Sequence, residues 1–284
     1  MEHTRNKISI FISDFVTDIS SPAIIPTIQS RFNIIFNNAA QKNLAVLIYR
    51  LTADFSGIYY PSCGKSFTVP GNVVRPYFIW VLGDKNILLK FRKRIESSQV
   101  FKPLQEAHIG FSSIPINFDI LYYSNNPQGR FRFKNGEFTN IKLKDDNLKI
   151  TLGVDLYPLP LYAQENSYLQ QKRYASSPSC DINYFNIIPD SIFRQRLNPK
   201  DKEHSHYIEV SVSRLQLEKN IVHLGLKKGP IDWSQFSTPN DANLNAGNNL
   251  KTFLLKDIIT GIQNAYGELN LNNDYFNLDL IIRK

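Results

Sequence analysis

At 284 residues and 42% hydrophobic content, the chain is long enough for one large domain or two ordinary ones with real cores. Its formal charge of +8 favours anionic partners wherever it clusters. Two cysteines far apart in sequence, Cys63 and Cys180, argue against a disulfide framework or a cysteine-based zinc site, and no apolar run reaches the roughly eighteen residues of a membrane helix; a cytoplasmic, reducing setting is expected.

The first predicted element is the run Ile-Ser-Ile-Phe-Ile-Ser-Asp at residues 8–14, apolar on both sides of the pleat and ended by an acid. Residues 44–51 and 77–83 have the same character. Continuous apolarity predicts parallel strands covered on both faces. Between the first two runs, Ile28, Phe32, Ile35, Phe36 and Ala39 recur at helical spacing, and after the third Asp84 caps a helix whose Leu88, Phe91 and Ile95 point inward. The order strand, helix, strand, long loop, strand, helix predicts an α/β domain over residues 1–114, a partial parallel sheet flanked by helices. Three such strands leave an edge of unpaired backbone groups. Sequence preceding Met1, the downstream domain or a protein partner is expected to cover it.

From residue 115 the pattern alternates and is punctuated by turns, which predicts an antiparallel, sandwich-like β domain over 115–284 with one long helix at 250–268. Asn135-Gly136 and Asp145-Asp146-Asn147 fit tight turns. In the helix, Leu254, Ile258, Ile262 and Ala265 share a stripe, and Gly261 permits close approach of a neighbour. Residues 157–199 and 229–249, rich in Pro, Ser and Asn, read as long loops.

Ligands of open parallel sheets bind beyond the carboxyl ends of the strands. Asp14, Asp18 and Asp84 would converge there and hold Mg²⁺ with water and hydroxyl ligands, as would suit a Mg²⁺- or Mn²⁺-dependent hydrolase or phosphoryl-transfer enzyme. Gly64-Lys65-Ser66 is the tail of a phosphate-binding loop, but Tyr59 stands where the motif needs glycine, so nucleotide binding is rejected. The aromatic residues of that loop, Tyr59, Tyr60 and Phe67, are candidates for a partner contact.

Positive charge gathers on the helix after Asp84, where Lys85, Lys90, Arg92, Lys93 and Arg94 form a basic face; Lys90, Lys93 and Arg94 are the candidate polyanion or nucleic-acid contacts. On the segment 130–134 the basic residues alternate with Phe131 and Phe133, which places those aromatics in a core. His204 and His206, with Glu203 and the more distant His223, have the spacing of a metal site within what otherwise reads as a polar turn.

The stretch Ile-Ser-Ile-Phe-Ile-Ser-Asp-Phe-Val-Thr-Asp, then a helix, then the runs at 44–51 and 77–84, resembles the second half of a von Willebrand factor A-type domain. The resemblance implies a metal-ion-dependent adhesion site in which Asp14 supplies the last acidic ligand. The family's Asp-x-Ser-x-Ser strand is not in this chain, and Phe15 replaces the glycine that follows the acid. The expected function is therefore a protein-interaction or adhesion-type binding module with an incomplete metal site.

Overall fold

The computed structural model describes residues 7–15, 22–62, 64–96, 100–111, 116–124, 128–242, 248–268 and 273–284. In chain order the first elements are β1 (Ile8–Ser13), α1 (Ile28–Gln41), β2 (Leu44–Tyr59), β3 (Phe67–Asp84), α2 (Lys85–Glu96) and β4 (Gln105–Ile109). There follow β5 (Phe118–Ile120), β6 (Arg130–Lys134), β7 (Glu137–Lys142), β8 (Asn147–Val154), α3 (Leu161–Gln164), α4 (Asn166–Lys172), β9 (Arg173–Ser176), β10 (Asp181–Pro189), α5 (Asp190–Phe193), β11 (His206–Ser213) and β12 (Lys219–Lys227). The chain ends with β13 (Ser237–Thr238), β14 (Thr252–Phe253), α6 (Leu255–Ala265) and β15 (Asp274–Arg283). Two compact units result: Met1–Phe111 with Gly229–Leu271, and Ser112–Lys228 with Asn272–Lys284.

The first unit is built on a four-stranded sheet of order β1-β3-β2-β4 in which every neighbouring pair is antiparallel. This corrects the expected parallel sheet. The runs at 44–51 and 77–83 are covered on both faces, but by helices packed on an antiparallel sheet, whereas the run at 8–14 forms an edge strand with most of its side chains exposed. Val46, Ile48, Phe78 and Trp80 pack with Ile28, Phe32 and Phe36 of α1 and with Ile258 and Ile262 of α6; Ala45, Leu47, Tyr49 and Val81 pack with Leu88, Phe91 and Ile95 of α2. Double coverage makes a strand apolar throughout whatever its direction, so continuous apolarity could not distinguish the two arrangements. The expected crossover loop is instead the distal part of the β2–β3 hairpin, paired from Leu44↔Asp84 out to Tyr59↔Phe67, with a register shift between Phe55 and Gly57 where Gly57 holds a positive φ of 142°.

Against the expected division at residue 114, the segment Gly229–Leu271 belongs to the first unit. Its helix α6 packs on α1 with Leu255, Ile258, Ile259 and Ile262 buried. Gly261 lies against the α1 backbone: a Cβ there would overlap the carbonyl oxygen of Gln29. In α1, Ile35 belongs to the predicted stripe but is 62% exposed. Phe15, just after β1, adopts a left-handed φ of 62° and lays its ring on Phe78 and Trp80 at 4.9 and 4.4 Å. That packing offsets a backbone conformation that glycine would hold without strain.

The second unit is two sheets, β10-β11-β8-β5 and β6-β7-β15-β12-β9, whose inner faces share one core. Alternate residues supply it: Leu148, Ile150, Leu152 and Val154 from β8, Ile208, Val210 and Val212 from β11, and Phe276, Leu278, Leu280 and Ile282 from β15. Parallel pairing occurs at β7–β15 here and at the short β13–β14 pair of the first unit. Asn135-Gly136 and Asp145-Asp146 form their turns with positive φ at both residues, 53° and 81°, then 51° and 59°. Phe131 and Phe133 pack on Phe138 at 5.1 and 4.9 Å while Arg130, Arg132 and Lys134 are exposed. Residues 157–199, expected as a loop, contain α3, α4, β9, β10 and α5; each of these is too short to show a clear period between the prolines, serines and asparagines that suggested a loop. Among the described residues no helix is long and apolar enough to cross a membrane.

Both tryptophans, Trp80 and Trp233, lie in the first unit and report on it alone. Gly261→Ala is expected to destabilise that unit by about 1–3 kcal/mol, because forcing two helix backbones apart outweighs the roughly 1 kcal/mol of helix propensity gained. Urea unfolding followed by tryptophan fluorescence checks this; an unchanged or raised midpoint contradicts it.

Candidate functional site

In the first unit the antiparallel register determines where the predicted acids go. Ile8 pairs with Gly83 and Ser13 with Phe78, so Asp14 lies beyond one end of the β1–β3 pairing and Asp84 at the other. The seven residue steps along β3 between these levels span about 23 Å. The expected convergence of Asp14 and Asp84 is thereby corrected, and Asp18 lies outside the described residues. Asp84 caps α2, accepting from the backbone N–H groups of Asn86 at 2.9 Å and Ile87 at 3.3 Å. Among the described residues, no group of three or more His, Cys, Asp or Glu side chains is placed to hold a metal ion.

Asp14 instead opens onto a cleft of about 290 Å³ at the end of β1, lined also by Asp54, Phe55, Tyr59, Tyr60, Arg75 and Tyr77. Its floor is a buried polar chain. Arg75 donates to the Tyr59 hydroxyl at 3.0 Å and to the Asn249 carbonyl at 2.9 Å, and its guanidinium lies 4.7 Å from the centre of the Tyr59 ring. Tyr59 in turn donates to Asp241 at 3.1 Å, and Asp241 also accepts from the Ser62 backbone at 2.9 Å. Burial is the main cause that pushes the Tyr59 hydroxyl pKa far up, so it remains a donor.

Of the aromatic trio, Tyr59 is therefore structural. Phe67 is half-buried against the Tyr59 ring at 5.5 Å, and Tyr60, 65% exposed, remains free for contact. On α2, Lys90, Lys93 and Arg94 are exposed one turn apart, whereas Arg92, expected on the same basic face, is buried. Its charge lies close enough to act on His108, whose pKa is lowered mainly by burial.

Among the described residues of the first unit, the longest exposed apolar stretch is on the edge strand. Ile10, Phe11 and Ile12 of β1 are 50%, 59% and 68% exposed, and β1 has a strand neighbour on one side, β3.

The second unit has its own cleft of about 600 Å³, lined by Asp155, Glu165, Asp190, Glu203, His204, Ser205 and His206 among others. The side chain of His204 is buried, with Nε2 at 3.1 Å from Asp119 and Nδ1 at 3.5 Å from Asp155, neither aligned as a hydrogen bond. Its ring rests on Gly153, where any Cβ would collide with it. His206 is fixed in one tautomer. The Gln164 carbonyl, 3.0 Å away, can only accept, so Nε2 carries the proton and Nδ1 accepts from Ser205 Oγ at 2.9 Å. Burial lowers the pKa of His206, keeping the ring neutral.

His223 is not part of this cluster; it pairs with Asp279 across β12–β15 at 2.7 Å. Sequence reasoning found His204 and His206 but missed Ser205 and Gly153. The available signal was a glycine inside an apolar strand, a mark of close approach. Cys180 is a buried free thiol whose pKa burial raises, and Cys63 lies outside the described residues.

Comparison of the chain with protein-family models, with curated proteins and with solved structures finds no match.

His206 sets a pH dependence. Its folded pKa is below the ordinary value of 6.5, so on acidification the unfolded chain takes up the proton first. The stability of the second unit is expected to fall as pH drops from 6.5 through the folded pKa, and His206→Gln should flatten that slope. Urea titrations at several pH values, followed by the amide resonances of β8 and β11, check this; equal slopes in both proteins contradict it.

Proposed function

We propose that this chain is a protein-interaction module that binds by strand addition along β1. The observation carrying this reading is the run Ile10-Phe11-Ile12, exposed on both faces of an edge strand. Edge strands of soluble proteins are ordinarily guarded by charge, proline or a bulge. Residues 8–13 have none of these. Each half-exposed side chain leaves roughly 1 kcal/mol of burial unused, and the outer backbone edge leaves hydrogen-bonding groups to water; an added strand recovers both. Tyr60 and the acidic cleft at Asp14 lie past the end of the same strand and would extend the contact.

The test is fluorescence anisotropy with a labelled peptide of alternating valine and threonine, using the natural chain and the double variant Ile10→Lys with Ile12→Lys. The variant is expected to bind at least about tenfold more weakly while its unfolding free energy stays within about 0.5 kcal/mol, since both positions are exposed. Equal affinity in the two proteins, or no binding by the natural chain at concentrations where it is monomeric, would remove the proposal.

A further inference from the structure

We infer that the strand added to β1 is the β1 of a second copy of this chain; the inference rests on the strand-addition reading and names its partner. Residues 9–13 read Ser-Ile-Phe-Ile-Ser, the same in both directions. Two identical strands paired antiparallel are related by a two-fold axis. With that axis at Phe11, Ser9 faces Ser13, Ile10 faces Ile12 and Phe11 faces its own copy. Within residues 9–13 every cross-strand pair is then between like side chains of equal size.

The two faces of the strand agree with this register. Phe11 lies opposite Trp80 and so on the face that α1 covers, where the two phenylalanines would meet at the axis beside two tryptophans. Ile10 and Ile12 lie opposite Val81 and Ile79, on the α2 face, and four isoleucines would gather there. The three side chains that are now 50%, 59% and 68% exposed become the centre of the contact.

Charge selects the direction of pairing. The strand itself carries none, while Lys7 precedes it and Asp14 follows it. Antiparallel pairing sets Lys7 of each copy near Asp14 of the other; parallel pairing would set lysine beside lysine and aspartate beside aspartate. The product is a continuous sheet of order β4-β2-β3-β1-β1-β3-β2-β4 with no β1 edge left open.

Sedimentation equilibrium of the full chain from about 1 µM to a few hundred µM is expected to show a reversible dimer that the double variant Ile10→Lys with Ile12→Lys abolishes. The register is read by cysteine cross-linking in a Cys63→Ser background. Phe11→Cys should form an intermolecular disulfide on mild oxidation at least about tenfold faster than Ser9→Cys, because only residue 11 meets its own copy. Mixing Ser9→Cys with Ser13→Cys chains should restore cross-linking. A chain that stays monomeric throughout, with no cross-linking at residue 11, overturns the self-pairing. If that monomer still captures the valine-threonine peptide, strand addition stands with a different partner; if it captures nothing, both readings fall.

Discussion

The antiparallel pairing of β2 with β3 is the constraint from which the first unit follows. Strands of sixteen and eighteen residues meet from Leu44↔Asp84 to Tyr59↔Phe67, and their proximal halves form the only stretch of the hairpin that helices cover on both sides. The hairpin leaves two outer edges for further strands, and β1 adds to that of β3 while β4 adds to that of β2. Asp14 and Asp84 must then lie at opposite ends, because β1 and β3 run in opposite directions. The edge position of β1 and the separation of the acids have the same cause.

Which parts of this were legible in the sequence follows from which interactions are local. Turn chemistry is local: Asn135-Gly136 and Asp145-Asp146 adopt positive φ because their side chains tolerate it, and both turns are where composition placed them. The inward stripe of α6 is local too, since Ile258 and Ile262 recur one turn apart, with Leu254 buried just ahead of the helix, and Gly261 marks the helix crossing as its small size suggested. Strand direction is not local. The same doubly covered apolar run serves a parallel or an antiparallel neighbour, and the residues between 51 and 77 look like a loop because the distal hairpin emerges from the helices and becomes polar.

Arginines show the limit from another side. Arg50 and Arg75 carry no mark of burial in the sequence, yet both are buried by contacts to residues far away in sequence. Arg50 donates to Gln105 and to the Leu250 carbonyl, each at 2.8 Å, and lies 4.1 Å from the centre of the Phe236 ring. Arg75 holds the neighbouring Asn249 carbonyl and Tyr59. Two guanidiniums thus tie an irregular segment to the sheet by satisfying its carbonyl groups, which a packed apolar contact could not do. Burial lowers the pKa of Arg50, a sign of desolvation partly offset by these bonds. Nothing in the one-dimensional pattern separates such residues from Lys90 or Lys93, which stay in water.

The edge strand presents the reverse case, in which composition and structure agree but for a reason that neither states alone. A six-residue strand with no charge could be the centre of a sheet, and in sequence it reads that way. Among the described residues it has one strand neighbour, and five of its six residues are exposed. Selection for solubility acts against such an edge in an isolated chain. An edge that stays apolar, keeps opposite charges at its two ends and reads identically in both directions over its exposed residues satisfies the geometric conditions for pairing with itself. A generic partner strand would require the apolar surface but not the symmetry, so the symmetry is the feature that separates the two kinds of partner.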